Sequence, residues 1–209
     1  MKKGLIFLLA LAAVVVIGVM WYFNTRNSLV TLDEQVKSSW AQVENVYQRR
    51  LDLIPNLVST VKGYAAHEQE TLEKVVQARA QASQITPQAM QNVLNDPQAF
   101  QKFQASQSEL SSALSRLMVV VERYPDLKAN QNFLQLQSQL EGTENRITVE
   151  RRRFNEVAQN YNTAIRRFPA SIVASMSGFS QKPYFQADAG ASKAPTVDFS
   201  KPAPAANGP

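Results

Sequence analysis

The sequence predicts an all-α protein, an N-terminal transmembrane helix followed by an elongated antiparallel helical bundle, on three observations. Residues 4–23 form one uncharged and mostly apolar run. Beyond it, apolar residues recur at steps of three and four along most of the chain, the signature of helices that bury one stripe. No segment alternates apolar and polar residues with a period of two between turn signals, so no sheet is expected.

The elements follow in order. Residues 1–3 are a short N-terminus carrying Lys2 and Lys3. Residues 4–23 supply 20 positions without a charge, and at ~1.5 Å per residue they span the ~30 Å hydrocarbon core as a helix. Trp21 and Tyr22 stand where an interfacial aromatic belt belongs. A cleaved signal peptide is the competing reading, but the run exceeds the usual apolar core of one and no A-x-A site follows it. Lys2 and Lys3 outweigh Arg26 across the span, which places the N-terminus in the cytoplasm and the rest of the chain outside it.

Residues 24–186 read as the bundle. Its first helix runs from Asn24 to about Ala66 on the stripe Val36, Trp40, Val43, Tyr47, Leu51, Ile54, Val58, Val61 and Ala65. Pro55 interrupts the backbone bonding but not the stripe, so one long kinked helix is expected; the rival is a break at residues 53–56. A second helix covers roughly His67 to Gln84, with Leu72, Val75, Ala78, Ala82 and Ile85 on one side and Glu68, Glu70 and Glu73 early, where the helix dipole favours acids. Thr86-Pro87 and Asp96-Pro97 each place a capping side chain before a proline, opening a short helical segment and then a long one.

That long helix carries a heptad seam of Phe100, Phe103, Gln107, Leu110, Leu114, Leu117, Val121 and Tyr124, which packs at a shallow angle against its neighbours. After the junction at Pro125 and Asp126, residues 127–168 read as one final helix, with Gly142 a weak point in it. Its inward positions are Phe133, Leu136, Leu140, Ile147, Phe154, Val157, Tyr161, Ile165 and Phe168. It runs antiparallel to the first and brings Arg166 and Arg167 back to the level of Arg26. Two readings follow for the apolar stretch Ile172, Val173, Met176 and Phe179: with Arg26, Arg166 and Arg167 it rests on anionic headgroups, or it packs back on the bundle. Residues 187–209 turn to Ala, Pro, Gly and Ser, a composition expected to be disordered.

Composition excludes several function classes. The 209 residues suffice for one domain plus accessories. With no cysteine, disulfides and thiolate metal sites are excluded. A net charge of +5, part of it on the membrane flank, is no footprint of nucleic-acid binding. His67 is the sole histidine and stands in HEQE, which lacks the second histidine of a zinc HExxH helix, so it reads as a surface or capping residue. The glycines form no G-x-G, G-x-S-x-G or phosphate loop. No metal, cofactor or catalytic set is expected. Arg49-Arg50 and Arg151-Arg152-Arg153 lie within helices, where neighbours fan around the axis; solvation or pairing with Glu44, Asp52, Glu150 or Glu156 is one reading, and a groove gripping an acidic peptide or lipid the other.

The run SSWAQVENVYQRRLDLIPNLVSTVKGYAAHEQETLEKVVQAR closely resembles the signature of the LemA family, and VERYPDLKANQNFLQLQSQLEGTENRI, RRRFNEVAQNYNTAIRRFP and KAPTVDF follow in the family's order. The resemblance covers about residues 28–199. It implies one N-terminal membrane helix and a helical bundle in a bacterial inner membrane. It implies no catalytic residues and no established biochemical activity. Association of family members with membrane peptidases of the HtpX type suggests an accessory role in envelope protein quality control. Within the matching RRLDLIPN, the residues Arg49, Arg50, Asp52, Pro55 and Asn56 are candidate interaction positions; the structural alternative has Pro55 shape the bend and Asp52 pair with a neighbouring arginine. The leading functional expectation is a non-enzymatic envelope scaffold or adaptor whose partners are the lipid bilayer and other envelope proteins. Its rivals are a laterally assembling homo-oligomer and an unrecognised hydrolase.

Overall fold

The structure, a computed structural model, describes residues 2–84 and 93–186. The expected Thr86-Pro87 segment and the tail beyond 186 lie outside the described residues. The described residues form six helices: α1 (Lys2–Tyr64), α2 (Gln69–Ser83), α3 (Pro97–Val121), α4 (Pro125–Lys128), α5 (Gln131–Arg166) and α6 (Ala170–Met176). No strand occurs among the described residues.

α1 passes through Pro55 without a break, as the continuity of its stripe led one to expect. Proline lacks the N–H that would bond the carbonyl four residues earlier, which here belongs to Leu51. The Arg79 guanidinium of α2 donates Nε–H to that carbonyl at 2.9 Å. An interior proline is tolerated because a neighbouring helix supplies the missing donor, and the same bond sets the register of α2 on α1.

The first part of α1 is the apolar run, and none of its membrane-length window is covered by the rest of the protein. Large side chains such as Phe7, Leu9, Val14 and Ile17 stand exposed. It is long and apolar enough to cross a membrane. The remainder of α1 runs antiparallel to α5: Asn130 donates to the Tyr64 hydroxyl at 2.9 Å, Arg50 meets Glu144 midway, and Tyr22 meets Ser177 at the other end. α2 and α3 are likewise antiparallel, closed where Glu68 takes Arg123 Nη2 at 3.0 Å and the Tyr124 hydroxyl at 3.1 Å.

Three expectations need correction. The final helix does not begin at Leu127. α4 is a separate turn, and Asn130 caps α5 by accepting from the Phe133 N–H at 3.1 Å; asparagine at that position satisfies an otherwise orphaned donor. Nor does the helix reach Phe168, which is 82% exposed rather than inward. Pro169 disfavours α conformation in the residue before it, so α5 stops at Arg166 and the stripe's next position swings outward. α2 is also shorter than expected at its start, with His67 in the preceding turn. Gly142 does not interrupt α5.

Below the apolar run the buried side chains form two clusters. The one nearer the run is aromatic: Trp40, Tyr47, Phe100, Phe103, Phe154, Tyr161 and Phe185 lie in it. The farther one is aliphatic, built on Leu51, Ile54, Leu57, Val61, Leu110, Leu117 and Leu140, with Phe133 as its buried aromatic.

Candidate functional site

Between the two clusters lies a polar layer centred on Arg50, the largest fully buried side chain, at 1% exposure. α1 carries Arg50 one turn past Tyr47, on the inward stripe. Its Nη1 donates to Ser111 Oγ at 3.0 Å and to Glu144 Oε1 at 2.9 Å. Nη2 donates to the Gln107 carbonyl at 3.3 Å and to Gln107 Oε1, and the guanidinium carbon lies 5.2 Å from the Tyr47 ring centroid. One side chain therefore joins α1, α3 and α5. Glu144 is 41% exposed, so the ion pair is lopsided, with the cation desolvated and the carboxylate half in water. A buried charge needs such partners, since leaving it unpaired costs several kcal/mol.

A cavity of about 140 Å³ adjoins the layer, lined by Tyr47, Gln104, Ser108, Thr148 and Arg151 among others. At ~30 Å³ each it has room for about four waters. Its lining offers hydroxyl, carboxamide and guanidinium groups with Glu144 as the one carboxylate. That is hydrogen-bonding chemistry without a nucleophile–base pair. Among the described residues no three His, Cys, Asp or Glu side chains gather in a set able to hold a metal.

The structure separates the five RRLDLIPN candidates. Arg50 points inward, while Arg49, Asp52, Pro55 and Asn56 are exposed. Asp52 accepts from Gln48 Nε2 at 2.8 Å; the acid that holds Arg50 is Glu144, a residue 94 positions away. Periodicity gave the signal for burial, because Arg50 falls between Tyr47 and Leu51 on the apolar stripe, and Gln107 breaks the α3 seam at the same level. The run Arg151-Arg152-Arg153 divides too: Arg152 stands 3.9 Å from Glu156, whereas Arg151 donates to the Gln186 carbonyl at 2.8 Å.

That last contact belongs to a feature the sequence reading missed. Residues 179–186 leave the helical repertoire and lie as a strap over the aromatic cluster. Asn162 clamps the Lys182 backbone, accepting from its N–H and donating to its carbonyl, both at 2.8 Å. Asn155 does the same to Phe185, at 2.9 and 3.0 Å. The two asparagines are two turns apart on α5, about 10 Å at 1.5 Å per residue, so the three residue steps from Lys182 to Phe185 must be almost fully stretched. Phe185 then inserts among Trp40, Phe100, Phe103 and Phe154. Lys182 Nζ reaches Asp33 at 3.1 Å and Asn95 at 2.8 Å and lies 5.5 Å from the Tyr161 ring centroid.

The electrostatics follow from this burial. Desolvation is the largest single influence on Asp33 and would raise it, yet hydrogen bonds and charge from Lys37 and Lys182 together hold it below the usual aspartate value. The Tyr161 phenol is pushed up to about 12 by burial, with the Asp33 charge adding to the shift. Burial raises the Glu44 carboxyl, partly offset by the Trp40 side chain.

Comparison with known proteins agrees with the architecture. The chain matches the LemA family over residues 39–199. Magnetosome protein MamQ 2 of Paramagnetospirillum magneticum is 26% identical over 195 residues, covering 85% of this chain and 72% of that protein. Magnetosome protein MamQ of Magnetospirillum gryphiswaldense is 28% identical over 173 residues, covering 76% and 64%. Protein LemA of Metamycoplasma hominis is 25% identical over 183 residues, covering 87% and 78%. A family match across most of the chain, on an all-helical bundle that grows from one apolar N-terminal helix, makes this protein a member of the LemA family.

Proposed function

We propose that the chain is a membrane-anchored scaffold without catalytic activity, set in a bacterial inner membrane with its N-terminus in the cytoplasm and its bundle outside. The observation that carries this reading is the unbroken α1, 63 residues long, or about 95 Å at 1.5 Å per residue. Anchor and bundle share one helix, so the bundle stands off the membrane as a stiff post rather than hanging from a linker. Its interior is spent on register, through Arg50 and the Leu51 carbonyl, which leaves the outer helix faces for docking. The partners proposed are other envelope proteins, such as a membrane peptidase of the HtpX type.

In-cell photocrosslinking from Gln48, Gln81 and Gln159, all exposed, tests the proposal. Reproducible capture of one envelope protein supports an adaptor. A second reading, lateral assembly of copies, rests on apolar side chains exposed on the bundle, such as Val119 at 71%. Capture of the chain by itself, with mass that rises with concentration, would replace the adaptor by that oligomer.

A further inference from the structure

We propose that α6 is an interfacial helix: Phe168, Ile172 and Met176 enter the surface of an anionic bilayer beside the anchor, and Arg26, Arg166 and Arg167 engage its headgroups. The inference rests on the anchor reading of residues 4–23 and adds a second, independent point of membrane contact.

The geometry begins with Tyr22, at the foot of the apolar run, whose hydroxyl lies 3.5 Å from Ser177 Oγ just past the end of α6. If residues 4–23 span the bilayer, Tyr22 sits at headgroup depth, and Ser177 sits there with it. α6 divides cleanly into two faces. Val173 and Ala174 are buried in the aromatic cluster and Phe179 packs against it, so the helix is held firmly on the bundle. Phe168, Ile172 and Met176, spaced by four, point away from the bundle at 82%, 50% and 72% exposure. Ile172 and Met176, one helical turn apart, share a face of α6, and Phe168 stands exposed in the turn just before it. The stretch thus divides: Val173 and Phe179 pack back on the bundle, while Ile172 and Met176 stay exposed. A soluble surface seldom leaves three large apolar side chains in a row uncovered, whereas an interfacial helix needs such a face.

Charge points the same way. No acidic residue occurs among residues 1–32 or 157–186. Lys182 is spoken for by Asp33 and Asn95, while Arg26, Arg166 and Arg167 are exposed. Basic residues at this depth are drawn to anionic lipid. Continuity with the anchor and a charge of one sign select a lipid surface as the occupant of this face, ahead of a protein.

The test uses the full chain reconstituted in nanodiscs, one chain per disc. The absence of native cysteine allows single spin labels through Phe168→Cys, Ile172→Cys and Met176→Cys, with Val15→Cys as the lipid reference and Val119→Cys as the water reference. Relative accessibility to oxygen and to a polar nickel complex reads depth. In phosphatidylcholine discs containing phosphatidylglycerol, labels at 172 and 176 are expected to resemble 15 rather than 119. Water-like labels at both sites, in protein whose unfolding midpoint is unchanged, would overturn the proposal. A water-like label at 15 would instead sink the anchor reading itself. Replacing Arg26, Arg166 and Arg167 by Gln is expected to lower the immersed fraction several-fold with phosphatidylglycerol and to change little without it; equal immersion in all cases overturns the role of the charges. Protection at 172 that appears only with several chains per disc would assign the face to a second copy and refute the lipid contact.

Discussion

The two halves of the bundle bury the same helical stripe in different ways. Near the anchor the interior is aromatic, and Trp40 alone packs against Phe100, Phe103, Phe154 and Phe185 with ring centroids 5.3–6.0 Å apart. Far from it the interior is aliphatic, α2 packs on α1 and α3, and side chains at the helix ends close the bottom. Wide rings leave gaps that four helices cannot fill alone, and the strap brings Phe185 to fill them. Leucine and valine interdigitate closely enough that a fourth helix suffices. The Arg50 layer marks the change from one packing to the other, a polar break in an apolar seam that penalises any slip of α1 against α3 and α5.

The largest expected effects separate the halves. Trp40→Ala should cost about 4 kcal/mol and Leu117→Ala about 3 kcal/mol in denaturant unfolding. Hydrogen exchange should distinguish them sharply: the amides of Lys182 and Phe185 lose protection in the first variant and keep it in the second. Equal loss in both would mean that the two clusters unfold as one and that the division is only compositional.

The polar layer comes next. Glu144→Ala leaves the Arg50 charge buried without its carboxylate and should cost about 3 kcal/mol. Arg50→Met removes the buried charge and frees a carboxylate that already reaches water, at about 1 kcal/mol. The double change should be no worse than Arg50→Met. If instead Arg50→Met proves the more damaging, the layer contributes net stability rather than register.

A smaller effect tests how α2 is held. Arg79→Ala orphans the Leu51 carbonyl and should cost about 1 kcal/mol. In a Pro55→Ala background, where residue 55 regains its N–H, the same change should cost almost nothing. A cost unaltered by Pro55→Ala would assign Arg79 another role.

The smallest effect is a pH dependence confined to the aromatic half. Asp33 binds its proton less readily in the folded state than in the unfolded one. Its contribution is therefore complete above its usual value of 3.8 and is lost as pH falls through the lower folded value. Strap protection should weaken in that acid range before the aliphatic half responds, and Asp33→Asn should remove the difference at the expense of stability at neutral pH. Simultaneous loss of both halves in wild type would show that Lys182 is held by packing and not by charge.

Much of this molecule was legible in one dimension. Steps of three and four name the buried faces of α1, α3 and α5 almost residue by residue, because a helix fixes which side chains share a face regardless of what covers it. Asp96 before Pro97 marked the start of α3, since the cap is local chemistry, and its carboxylate does accept from Gln98 N–H at 2.8 Å. The continuity of α1 through Pro55 was inferred from its stripe. Asn130 shows the limit: it looked like one more polar residue in a long helix, because asparagine is compatible with both a helix surface and a cap.

What the sequence by itself determined is which elements form and which faces they bury, since those depend on neighbours within a turn or two of the chain. Tertiary structure alone decided that Arg50 pairs with Glu144, that Arg79 answers for Pro55, and that Asn155 and Asn162 stretch the strap. Each of these depends on two segments far apart in sequence meeting at hydrogen-bond distance. That meeting is settled by the packing of whole helices and leaves no periodic trace in either segment.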